Sequence, residues 1–387
     1  MFWLAGVAGA GCSSFTSADG TASDDAGVVA ETAASGETSA IEGGAMCGPD
    51  VMSDPNHCGK CAHSCLGGAC LAGKCQAAVL HTFTAAVAYG PVLDSQRVVI
   101  VTQSAAGPGR VEWCPKTGCA AGPSGADLPT PPTGARSLAS DGTSAYVSTV
   151  GGKTAGVFRI GQDGVLRSIT PVDGTFQNAD QVAIDGKDVL FVNSYQSGPI
   201  GIYRVRADGS APPFQIVPVQ ASDRFTHLVT TPGRLYVADF AMIATCGAPT
   251  CPALDAYAAA AVAHLDITAL ATDGTSLFWT SDRQELLTCA LGASCGAPAV
   301  VVGHTALGDS VPIALSSQGP DLYVTTAGGN VFTCTAALCA STFKPLVTDE
   351  VIEGAAVADE QAVYWLGRAR TDAGGGAQAY RLMRLAK

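Results

Sequence analysis

The sequence predicts an all-β fold, a seven-bladed β-propeller preceded by a small disulfide-rich module and a disordered N-terminal tether. Three observations carry this expectation. First, a polar turn followed by an apolar strand, clearest in Asp273-Gly-Thr-Ser-Leu-Phe-Trp-Thr-Ser, returns at Asp94, Asp141, Asp185, Thr231, Asp273, Gln318 and Asp359. The intervals are 47, 44, 46, 42, 45 and 41 residues, the period of a four-stranded blade. Second, the 46 Gly and 21 Pro, with charged residues at only 14%, suit many tight turns between buried strands. Third, each repeat offers four strand candidates, which in the fifth are Ile267 to Thr272, Leu277 to Ser281, Glu285 to Ala290 and Ala299 to Gly303. One closed all-β domain can then occupy most of the 387 residues.

Composition narrows the function classes. A net charge of −12 argues against nucleic acid, whose phosphates require a basic face. No run of 18 apolar residues occurs, so no helical membrane span is expected. Fifteen cysteines, most at disulfide-like spacing, point to an oxidising compartment reached by export. Setting Cys12 aside leaves an even fourteen.

Residues 1–12 run through small and apolar side chains into Ala10-Gly11-Cys12-Ser13-Ser14. This approach to a cysteine resembles a bacterial lipoprotein signal, which implies lipidation of Cys12 and attachment to a membrane through that lipid alone. Residues 13–46 contain Ser, Thr, Ala, Gly and six acids (Asp19, Asp24, Asp25, Glu31, Glu37, Glu42) with no Lys or Arg. Such a segment buries too little apolar surface to offset its backbone entropy and is expected to be a disordered linker.

Residues 47–75 hold Cys47, Cys58, Cys61, Cys65, Cys70 and Cys75 with almost no aliphatic side chains, so covalent bonds must hold this piece together. Six cysteines allow fifteen pairings, and the sequence does not choose among them. The run Asn56-His57-Cys58-Gly59-Lys60-Cys61-Ala62, followed by Cys65, Cys70 and Gly73-Lys74-Cys75, resembles the repeat of the stigma-specific protein family. With a propeller behind it, the whole layout is similar to secreted lipoproteins of myxobacteria. The resemblance implies an extracellular adhesive or spacer module without catalysis. A zinc site from Cys58, Cys61, His57 and His63 is the competing reading, and oxidation on export weighs against it.

Residues 76–387 are assigned to the propeller. The innermost strands include Ser137-Leu138-Ala139, Gln181-Val182-Ala183, His227-Leu228-Val229, Ala314-Leu315-Ser316 and Ala355-Ala356-Val357, where small residues suit crowding near an axis. Later strands grow more polar. Four blades carry a cysteine pair at the turn between third and fourth strands: Cys114 and Cys119, Cys246 and Cys251, Cys289 and Cys295, Cys334 and Cys339. Each pair is expected to be a disulfide, with Asp163-Gly164 and Asp208-Gly209 serving the same turn in two other blades. The seventh repeat stops after three strands, and Ala78 to Phe83 is expected to supply the fourth and close the ring.

None of the common catalytic motifs occurs, and the six histidines are scattered. Aligning the repeats places Arg136, Asn178, Asp180, Arg224, His227, Asp266, Asp309 and Glu353 at one mouth of the central channel. These are candidate binding residues, able in principle to hold a divalent cation, although solvated residues at strand starts need no ligand. The expected function is a monomeric, non-catalytic scaffold at the outer membrane or cell surface, otherwise periplasmic or secreted. It would bind a protein or glycan and require no cofactor. The alternative is a hydrolase or lyase at the channel mouth, for which His227, Asp180 and Asp266 would have to converge.

Overall fold

The computed structural model describes residues 50–387 except 105–106, 130–133, 195–199, 219–224, 240–241, 248–250, 260–265, 293, 309, 349–350 and 369–377. The expectations for Cys12, the linker 13–46 and Cys47 lie outside the described residues. From Ala78 onward the chain forms seven antiparallel sheets, arranged as blades whose strands follow one another from the axis outward. Blade 1 comprises Val87–Leu93, Arg97–Gln103, Gly109–Pro115 and Ser124–Asp127. Consecutive innermost strands touch around the ring, including those of blades 7 and 1. Short helical turns at His304–Leu307 and Ala336–Thr342 interrupt the β structure; the first buries Leu307 in the core between blades 5 and 6.

The repeated Asp works as a local turn former. In blade 2 the Asp141 Oδ1 accepts the backbone N–H groups of Thr143 and Ser144 (both 2.7 Å), and its Oδ2 accepts the Tyr146 hydroxyl (2.7 Å). Burial alone would raise this carboxyl, but these hydrogen bonds outweigh it and hold the pKa below the usual range. Asp273 and Asp359 accept the matching pairs of N–H groups in blades 5 and 7. The apolar run that follows then enters the second strand in a fixed register.

Seven hydrophobic clusters fill the seams, one between each pair of neighbouring blades. The second strand, rather than the innermost, is the most deeply buried: Val98 to Val101, Val189 to Asn193 and Ala362 to Leu366 are each buried throughout. The second strand has a neighbouring blade against both faces, whereas the innermost strand leaves part of its surface to the channel. Hydroxyls on the inner strands bridge the seams. Thr230 donates to the Ile184 carbonyl, Ser316 to that of Ala356, and Thr325 to that of Gly354 at 2.9 Å, so backbone acceptors near the axis find donors in the next blade.

The four blade cysteine pairs are disulfides, with Cα–Cα distances of 5.1, 5.4, 6.0 and 4.8 Å in chain order. Loops this short constrain the unfolded chain by about 2 kcal/mol each. In blades 2 and 3 the turn instead holds Gly164 (φ +71°) and Gly209 (φ +72°), with Asp163 and Asp208 accepting the N–H two residues on.

Closure joins the two ends of the propeller. Ala78–Ala85 pairs antiparallel with Gln378–Ala386, from Ala78 opposite Arg384 to Ala85 opposite Gln378, and completes blade 7. The innermost strand of that blade is split into Val351–Ile352 and Val357–Ala358, both paired with Ala362–Arg368; Ala355 and Ala356, expected in a continuous strand, lie in the gap. The break follows from crowding. Gly354 (φ +79°) sits so near blade 1 that an added Cβ would come 2.8 Å from the Gly90 carbonyl oxygen.

Ahead of the closing strand, Cys58–Cys70 and Cys65–Cys75 staple a small hairpin, and Cys61 is disulfide-bonded as well. Three sulfurs, of Cys58, Cys65 and Cys75, cluster there within 4.8 Å because two bridges stack. His57 accepts the Ala62 N–H, and His63 places its two ring nitrogens 2.7 Å from the backbone oxygens of Cys58 and Lys387. The side chains offered by the zinc reading are thus engaged in disulfides and backbone contacts. The module packs on the closure seam: Leu66 joins the core between blades 7 and 1, and the buried Arg384 donates to the carbonyls of Leu66 and Lys116.

Candidate binding site at the channel mouth

The innermost strands all begin at the same end of the ring, and there a β-bulge recurs. In blade 2 Arg136 is the extra residue between the pairs Ala135 with Thr149 and Ser137 with Ser148. Asp180 holds the corresponding place in blade 3, Thr268 in blade 5 and Ile313 in blade 6. A bulge bends the strand and re-aims one side chain, so adjacent residues such as Arg136, Ser137 and Leu138 all reach one cavity.

That cavity, about 500 Å³, is walled by the innermost strands of all seven blades. Three predicted residues line it: Arg136, His227 and Glu353. Asp180 lies beside it, accepting the Ser194 hydroxyl and standing 3.9 Å from the Arg136 Nε. Asn178 forms an isolated bridge with Val150 and donates its backbone N–H to the Asn193 side chain at 3.3 Å. Asp266 is exposed, with its carbonyl taken by the Asp282 N–H. Arg224 and Asp309 lie outside the described residues. Among the described residues, His227, Asp180 and Asp266 do not form a cluster with their ligand atoms within 4.8 Å of one another. Sequence reasoning missed Tyr89 and Gln181 as cavity residues; both sit in strands whose composition gave no sign of which side chain a bulge would turn inward.

The cavity sets the charged Arg136 and Glu353 among apolar residues. Glu353 meets the Arg368 guanidinium at 3.2 Å. Arg136 is 56% exposed on its side chain, and its contact with Asp180 is long, so that pair contributes little. His227 is half-buried by its accessible surface, and burial pushes its pKa down to about 4, partly opposed by a hydrogen bond with the Ile267 backbone. The ring is therefore neutral at pH 7 and acts as a hydrogen-bonding group.

This shift has a consequence for stability. A histidine whose folded pKa lies below its unfolded value of about 6.5 leaves the unfolded state binding more protons between the two values. Its neutral form is fully favoured above pH 6.5, and stability falls as pH drops towards 4, by up to about 3 kcal/mol. His227→Asn is expected to flatten the fall in melting temperature between pH 6.5 and 4; identical profiles for the two proteins would refute the burial assignment.

The fold and the mouth define a seven-bladed β-propeller. No protein-family model matches the chain, and no curated protein matches it. Solved structures do. YCF48 bound to D1 peptide is similar at TM-score 0.56 and 11% identity, over 81% of this chain and 96% of that one. The Neurospora crassa Pan2 WD40 domain gives 0.55 and 10%, over 79% and 95%. The extracellular domain of the putative one-component system BT4673 from B. thetaiotaomicron gives 0.52 and 12%, over 79% of this chain and 39% of that one. At these identities the likeness is one of fold.

Proposed function

We propose that this protein is an exported, non-catalytic binding scaffold that presents the channel mouth to a partner protein or glycan, held at the cell envelope by lipid on Cys12. The observation that carries the reading is the mouth itself: a cavity of about 500 Å³ on the axis, lined by Leu138, Leu228, Leu270 and Leu315 together with Arg136, Gln181, His227 and Glu353. Glu353 is paired with Arg368, and the histidine is neutral, an arrangement suited to recognition more than to proton transfer. Two similar propellers lend support, one bound to a peptide and one an extracellular domain. The disulfides favour an oxidising compartment.

Peptide and glycan arrays probed with the full chain and with Gln181→Trp, which fills the mouth, test the binding face. Binding that the substitution abolishes without changing the melting temperature supports it; binding that persists moves the partner elsewhere. Metabolic labelling with an alkyne fatty acid tests the anchor, and label retained in Cys12→Ser removes it.

A further inference from the structure

We infer that the channel mouth receives the free C-terminus of a partner polypeptide, its last apolar side chain entering the axial cavity and its carboxylate held by Arg136. This rests on the reading of the mouth as the binding face and adds the chemistry of what it takes.

Shape argues for a chain end. The cavity is enclosed by innermost strands on every side, so a segment in mid-chain would have to turn and leave by the opening it entered. A terminus needs no such turn. The walls include Leu138, Leu228, Leu270 and Leu315, and the lining also carries the exposed Val87, 38% accessible. An apolar side chain entering there removes apolar surface from water on both partners.

Charge argues for the carboxyl terminus over the amino terminus. Glu353 already meets Arg368 at 3.2 Å, and Asp180 accepts the Ser194 hydroxyl. An incoming ammonium would have to compete for both. Arg136 has only the 3.9 Å approach of its Nε to Asp180, and among the described residues its terminal guanidinium nitrogens make no hydrogen bond. That planar fork matches a carboxylate, which accepts two parallel hydrogen bonds from it. Gln181 lines the same cavity.

The test is fluorescence anisotropy of the full chain with rhodamine-labelled Gly-Ser-Gly-Ala-Xaa peptides, where Xaa is Leu, Val, Phe or Asp, each as free acid and as C-terminal amide. The free acids ending in Leu, Val or Phe are expected to bind about tenfold more tightly than their amides, an advantage that shrinks with salt. Arg136→Gln should bring that ratio to about one, while Arg110→Gln, which alters a surface pair with Asp127 (2.6 Å) on blade 1, should leave it intact. Equal binding of acid and amide, or a ratio that survives Arg136→Gln, overturns the inference. Equal binding that Gln181→Trp abolishes would do so while leaving the mouth as the binding face. Binding of trigalacturonate with no peptide bound, or no binding of any probe, also rejects the terminus.

Discussion

Phe83→Ala is expected to lower the melting temperature by about 6–10 °C, the scale of a buried Phe truncation of about 3–5 kcal/mol at about 2 °C per kcal/mol. Phe83 is 4% exposed, stands opposite Tyr380 in the closing ladder and packs in the core between blades 7 and 1. His81 adds an edge-on ring contact at 4.7 Å. Val79, on the same strand and 50% exposed, is the control, and Val79→Ala should shift the transition by less than about 1 °C. Calorimetry distinguishes the two, and an unchanged transition in Phe83→Ala would mean that this strand does not hold the ring shut. Deleting residues 76–83 should cost more, because it leaves two unpaired sheet edges facing water.

Arg384→Met is expected to destabilise the protein by about 3–5 kcal/mol. Arg384 is 7% exposed, and its two terminal nitrogens donate to carbonyls on either side of the seam, Leu66 in the cysteine module and Lys116 in blade 1. Lys116 in turn stands 3.1 Å from Asp359, so one buried cation ties the module, blade 1 and blade 7 together. Methionine fills the space but leaves two acceptors without a donor. Lysine keeps the charge without the fork and should recover only part of the loss. Urea unfolding gives the magnitude, and limited proteolysis locates it: residues 66–77 should be cut faster in Arg384→Met, whereas cleavage at the wild-type rate would show that the module is held by other contacts.

What was legible in the sequence is what local chemistry decides. Asp141 and Asp273 announce their turns because the carboxylate binds N–H groups only two and three residues away. Cys114 and Cys119 lie close enough in sequence for the bridge to be read directly, and the missing fourth strand of the last repeat pointed to Ala78 onward. The remainder depends on long-range geometry. One extra residue such as Arg136 or Asp180 barely alters the apolar pattern, so the bulges were invisible, and with them the place of Gln181 in the cavity lining. Six equivalent cysteines gave no preference for Cys58–Cys70 and Cys65–Cys75. The split beside Gly354 arises from contact with Gly90, more than 260 residues away along the chain, which no window of sequence contains.

The ladder that sets Ala78 against Arg384 also dictates the order in which the wheel can be made. Synthesis delivers residues 78–85 before the blades and residues 378–386 after them, so the earlier strand must wait unpaired through the making of every blade. Pairings of such long sequence separation are slow to form, and a waiting edge is open to strands of other nascent chains. A chain interrupted before residues 378–386 would keep that edge for good, so this strand turns a sticky intermediate into a closed ring.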